Sequence, residues 1–212
     1  MIQFRDFKKS YNSQLILDIK NIDIHVGVYW LKGINGSGKS TLLRSLAGII
    51  PYDGLVTIAG IDIRKDKQAH RRLVNYAEAA PVYPLFLTGF ELINFYVETL
   101  KGNRQQCLDN CAALRLDEIA LKKEVGTYSS GMLKKLSLVL AFAGNPQWIL
   151  LDEPLITLDV AATQIILQWV ENAYHAGTGL LLTSHQDMDF PTHNLPLQML
   201  ETTEQTVKKL LI

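Results

Sequence analysis

The chain has 212 residues, 48% of them hydrophobic and 20% charged, a balance that suits a globular domain with a large apolar core and excludes a disordered tail or a fibre. Lys+Arg and Asp+Glu number 21 each, so no global field draws the protein to nucleic acid, and no nucleic-acid partner is expected. The best apolar run, residues 136–144, falls far short of the roughly 20 residues of a spanning helix, and residues 1–10 carry no secretory pattern, so the cytosol is the expected compartment.

In chain order, residues 2–28 alternate apolar and polar (Leu15, Leu17, Ile19; Ile22, Ile24, Val26), which predicts antiparallel strands of a small β subdomain. A β-prone run at 28–31 enters a glycine-rich loop, and Leu42, Leu43, Leu46 and Ala47 then follow at helical spacing. From about 88 to 142 the pattern turns helical and loses strand signals, which predicts a helical subdomain inserted into a single domain whose remainder spans about 1–87 and 143–212. Cys107 and Cys111 lie inside it, spaced for neither a disulfide framework nor a zinc site. A second strand, Trp148 to Leu151, ends in Asp152 and Glu153. The helix after it has Ile165, Ile166, Trp169, Val170 and Ala173 on one face, Asp159 to cap it and Gly177 to end it. A third strand, Leu180 to Thr183, delivers Ser184 and His185, and residues 195–200 and 206–212 read as a terminal hairpin. Strands alternating with helices imply an α/β fold with a parallel sheet, whose ligands sit beyond the carboxyl ends of the strands.

Gly33-Ile34-Asn35-Gly36-Ser37-Gly38-Lys39-Ser40 has the spacing of a phosphate loop, in the strand-to-helix context that gives the pattern its meaning. Its glycines let backbone N–H groups turn inward on a polyphosphate, and the helix start adds partial positive charge. Lys39 is placed to reach the β- and γ-phosphates, and Ser40 to ligate Mg2+. Asp152 and Glu153 fit a metal-side carboxylate and a general base acting on water. Ser129 can cap the helix that follows it and leave N–H groups facing an anion.

With these motifs in place, the sequence resembles the nucleotide-binding domain of ABC transporters over nearly its whole length. Tyr128-Ser129-Ser130-Gly131-Met132 stands where that family has its signature segment, usually Leu-Ser-Gly-Gly-Gln. The resemblance implies a P-loop NTPase core with an N-terminal antiparallel β subdomain and an inserted α-helical signature subdomain, using ATP and Mg2+. It implies ATP binding by Tyr11, Asn35, Gly36, Ser37, Gly38, Lys39, Ser40 and Thr41, catalysis by Glu153, His185 and Lys39, and metal ligation by Ser40 and Asp152. Ser129, Ser130 and Gly131 would contact the ATP of a second subunit, and Asp159 would lie at the interface of a homodimer formed on ATP binding.

The resemblance further implies an integral membrane permease subunit as partner, at the inner face of the cell membrane. That partner would dock near Tyr83, Phe86, Phe90, Phe95 and Tyr96. The compact chain and its signature variant are similar to exporter ATPases, and a soluble ABC ATPase of iron–sulfur assembly is the second reading. The sequence departs from the family in three places: Ser130 replaces a glycine, Met132 replaces a glutamine, and Ala79 stands where a loop glutamine is usual, with Glu78 its nearest polar neighbour.

Overall fold

The computed structural model describes residues 1–184, 195–203 and 205–210. Its first strands, β1 (Ile2–Tyr11) and β2 (Gln14–Ile24), pair antiparallel. Asn12 and Ser13 between them have φ of 44° and 69°, the primed turn geometry whose twist matches that of the strands it joins. β4 (Asp53–Ile58) and β5 (Ile61–Asp62) complete a four-stranded sheet in the order β2-β1-β4-β5. Gly54 has φ 87°, and a Cβ there would lie 2.1 Å from the Asp6 carbonyl oxygen, so only glycine lets β4 come this close to β1.

The second sheet is built from β3 (Val28–Lys32), β6 (Val74–Ala77), β7 (Trp148–Leu151), β8 (Gly179–Thr183), β9 (Leu197–Thr203) and β10 (Thr206–Leu210), in the order β10-β9-β3-β8-β7-β6. From β9 to β6 every neighbouring pair is parallel, while β10 turns back antiparallel on β9 as the expected terminal hairpin. Both faces of this sheet are covered, which is why its central strands read as unbroken apolar runs.

Alternate residues serve different cores. Tyr29, Leu31, Trp148, Leu150 and Leu181 join Leu42, Leu43 and Leu46 of α1 (Lys39–Leu46) and the inner face of the first sheet. Val28, Ile149, Leu151, Leu180 and Leu182 join the apolar faces of α6 (Ser130–Ala141) and α7 (Val160–His175). Helix α1 therefore shares one core with both sheets, and its N-terminus is fixed from two sides.

Lys67–Leu73 form α2, between β5 and β6 in sequence. Between β6 and β7 the chain forms α3 (Gly89–Leu100), α4 (Arg104–Ala113), α5 (Glu118–Leu121), a 3-10 turn at Val125–Thr127, and α6. Thr88 and Glu91 start α3 with a reciprocal capping box. Cys107 and Cys111 are free and buried one turn apart on α4; burial raises both thiols, Cys111 to about 12. Among the described residues no helix is long and apolar enough to cross a membrane.

Candidate functional site

Strands β3, β8 and β7 are neighbours whose carboxyl ends lie level, with Leu31 opposite Thr183 and Leu182 opposite Leu151. Gly33, Ser184 and Asp152 therefore leave the sheet at one edge, where ligands of open parallel sheets bind.

The loop from Gly33 to Gly38 joins β3 to α1. Gly36 and Gly38 have φ of 81° and 98°, a region that side chains with a Cβ rarely enter. Gly38 is the N-cap of α1 and has no side chain to cap it, and the first turn carries no acidic residue. Its leading N–H groups and helix dipole are thus directed at the loop interior, as an anion site requires. Asn35 and Gly36 are exposed at the loop tip, and Ser40 and Thr41 are half-buried in the first turn. Lys39 is buried, and its Nζ donates to the carbonyls of Gly33 (2.6 Å) and Ile34 (3.0 Å). Burial lowers its pKa, while the charges of Glu153 and Asp152 pull it back up. The loop is braced from below: Thr202 on β9 donates to the Lys32 carbonyl (3.0 Å), and its Oγ1 lies 2.6 Å from Ser37 Oγ.

Asp152 is 2% exposed, and its carboxylate accepts from Thr183 Oγ1 (2.7 Å) and Tyr76 OH (3.4 Å). Burial first, then the charges of Asp152 and Glu78, raise the Tyr76 phenol and keep it a donor. Thr183 Oγ1 in turn accepts from the Glu153 amide (2.9 Å). Half-buried Glu153 has φ 47°, a left-handed conformation that costs a non-glycine residue about 1–2 kcal/mol. From the other side, Lys134 Nζ donates to the carbonyls of Asp152 (2.8 Å), Glu78 (2.8 Å) and Ala79 (3.4 Å).

Ser40 and Asp152 offer only oxygen donors, which suit a hard cation such as Mg2+. One carboxylate and a hydroxyl, completed by phosphates and water, is how Mg2+ is usually held.

Ser129 is exposed and N-caps α6, its Oγ accepting from the Met132 amide (3.2 Å). Ser130 is exposed beside it, and Gly131 faces the Thr157 carbonyl, 3.6 Å from where a Cβ would sit. Asp159 N-caps α7 by accepting from the Ala162 amide (2.8 Å) and lies 3.4 Å from Lys135 Nζ. That amide bond first, then Lys135, lowers its pKa. Tyr11 is half exposed, with Lys9 Nζ 4.6 Å from its ring centroid. His185 lies outside the described residues.

The Glu78 carboxylate turns to Arg44 Nε (3.4 Å), and Ala79 is exposed. Beside them Tyr76, Glu78, Val82, Tyr83, Phe95 and Tyr96 help line a groove of about 470 Å3. Phe95 is exposed there and Phe86 is exposed elsewhere on the surface, whereas Tyr83, Phe90 and Tyr96 pack partly into the core.

Thr183, Lys134 and Thr202 were not identified from sequence, since they belong to no contiguous motif, and Tyr76 was noted only as the start of the segment that holds Glu78 and Ala79. One left a trace: Thr183 is the polar end of an apolar strand.

The topology, with a glycine-rich loop between β3 and α1 at the carboxyl edge of a largely parallel sheet, defines a P-loop NTPase fold. The model of the family described as ABC transporter matches residues 20–156, and the chain belongs to that family as a nucleotide-binding domain. The ABC transporter ATP-binding protein YtrB of Bacillus subtilis (strain 168) is 31% identical over 189 residues, covering 88% of this chain and 64% of YtrB. The linearmycin resistance ATP-binding protein LnrL of the same organism is 27% identical over 192 residues, covering 87% of this chain and 61% of LnrL. The chain thus spans less than two thirds of the length of these relatives. A solved ATP-binding subunit of an ABC transporter shares the fold with a TM-score of 0.89 at 23% identity, over 100% of this chain and 90% of that one.

Proposed function

We propose that the chain binds and hydrolyses ATP and thereby powers a separate membrane subunit. The observation that carries the reading is the convergence of Lys39, Asp152 and Glu153 beside the uncapped N-terminus of α1, at one sheet edge. Backbone N–H groups of residues 35–41 cradle the phosphates, and Lys39 exchanges its own loop carbonyls for phosphate oxygens. Tyr11, already in contact with a cation, offers its exposed face to the adenine. Ser40 and Asp152 would hold Mg2+, which when bound neutralises charge on the β- and γ-phosphates. Glu153 accepts the proton of the attacking water, and His185 contacts the γ-phosphate.

Two copies complete the site. The N-terminal end of α6, with Ser129 and Ser130 exposed and Gly131 half-buried, presents N–H groups to the γ-phosphate on a second copy, and Asp159 lies along the same interface. Hydrolysis removes the group that joins the halves, so binding closes the pair and turnover opens it. The groove lined by Phe95 receives the membrane subunit, with the chain at the inner face of the cell membrane; its exposed apolar side chains support this reading. Similarity to a resistance protein supports the export direction.

Glu153→Gln tests the reading, because it keeps size and hydrogen bonding but removes the base. The variant is expected to bind ATP with near wild-type affinity, lose turnover by about 100-fold or more, and accumulate as an ATP-bound dimer in analytical ultracentrifugation. Wild-type turnover in this variant would remove the base assignment. A monomer that retains no nucleotide would remove the clamp.

A further inference from the structure

Lys134 is 2% exposed, inside a helix whose neighbouring Leu136, Leu138, Val139 and Leu140 are core residues. Lysine is almost never buried to this degree without partners that use its charge. Here the partners are backbone carbonyls of two segments remote in sequence: Asp152, and Glu78 with Ala79. Three carbonyls match the three N–H donors of one ammonium.

We infer that Lys134 is a positioning residue for Glu153, holding the 152–153 peptide in the orientation that aims the carboxylate. The geometry is a two-sided clamp. The N–H of Glu153 donates to Thr183 Oγ1, and the carbonyl of Asp152, in the same peptide, accepts from Lys134 Nζ. A peptide so held leads into a left-handed residue that needs support from its surroundings to persist. With only the Thr183 side in place, the peptide can rotate and swing the carboxylate, and a misplacement of about 1 Å costs up to ~100-fold in rate. The same ammonium ties Glu78, which lines the 470 Å3 groove, and its neighbour Ala79 to the 152–153 peptide.

This inference rests on Glu153 being the base. Its test compares Lys134→Met, Lys134→Arg and wild type in ATP binding, measured with a fluorescent ATP analogue, and in kcat at saturating MgATP, with Tm recorded for each. Lys134→Met is expected to lose about 10-fold or more in kcat while its nucleotide Kd stays within about 3-fold of wild type. Lys134→Arg, which still donates to carbonyls, is expected to recover most of the lost rate.

Wild-type kcat in Lys134→Met would overturn the inference. So would a parallel loss of binding, turnover and Tm that Arg does not rescue, the mark of a purely structural lysine. Should the Met variant fail to fold, Lys134→Gln, which retains two donors, carries the same test with the same criteria. A wild-type chain without ATPase activity would sink the functional proposal itself, whereas an active wild type with an indifferent Lys134 sinks only this inference.

Discussion

Thr183→Val probes the carboxylate pair with the least change in shape. Thr183 is 1% exposed, and its hydroxyl donates to Asp152 Oδ1 at 2.7 Å and accepts from the Glu153 amide at 2.9 Å. Valine fills the same volume but makes neither bond. The lost bond to a charged group is worth about 1.5–3 kcal/mol, and the stranded amide costs about 1–3 kcal/mol more. Partial relaxation and the greater affinity of a methyl group for the core offset part of this, leaving ~3 kcal/mol. For a chain of this length, 1 kcal/mol moves Tm by about 2–4 °C, so the expected fall is about 6–12 °C. Calorimetry reads the stability and a coupled phosphate-release assay reads kcat, which is expected to fall by about 10-fold as the 152–153 peptide loses one of its two clamps. Thr183→Ser keeps the hydroxyl, gives up one methyl worth about 1 kcal/mol, and is expected to turn over near the wild-type rate. A valine variant within about 2 °C of wild type with unchanged kcat would show that this hydroxyl neither supports Asp152 nor orients Glu153.

Gly33→Ala puts a Cβ 2.0 Å from Thr202 Oγ1 and 2.5 Å from Ser37 Oγ; it is expected to weaken ATP binding by at least about 10-fold, equivalent to about 1.4 kcal/mol, in a fluorescence titration, with partial recovery in the double variant Gly33→Ala, Thr202→Ala. Because burial raises Cys111 to about 12, its thiol stays protonated in the folded chain where an unfolded cysteine ionises near 8.5. The stabilisation this provides is complete below about pH 8.5 and is lost as pH rises toward 12. In a thiol-reagent assay at pH 8, both cysteines are expected to react slowly in the native protein and promptly after denaturation; prompt native reaction would refute the buried placement.

Part of the site was legible because its chemistry is written in contiguous residues. The phosphate loop, the strand ending in Asp152 and Glu153, and the Ser129 cap each occupy a single strand-to-loop or loop-to-helix junction. Local rules therefore found them, as they found the β1–β2 alternation and the terminal hairpin. β4 and β5 escaped notice, because both are short, and β4 pairs with β1, more than 40 residues earlier, while β5 pairs only with β4.

What the sequence determined was which groups are present: eight residues that can wrap a phosphate, two carboxylates after an apolar strand, and a serine at a helix start. That follows because backbone conformation near a glycine or a cap depends on near neighbours. The tertiary structure alone decided how those groups are held. Thr183 joins Asp152 to Glu153 because β8 lies beside β7, Thr202 braces Ser37 because β9 lies beside β3, and Lys134 gathers carbonyls from residues 78, 79 and 152 because α6 packs across both. Each of these bonds joins residues 18 to 165 apart, a separation over which no local pattern carries information and only the closed fold brings donor to acceptor.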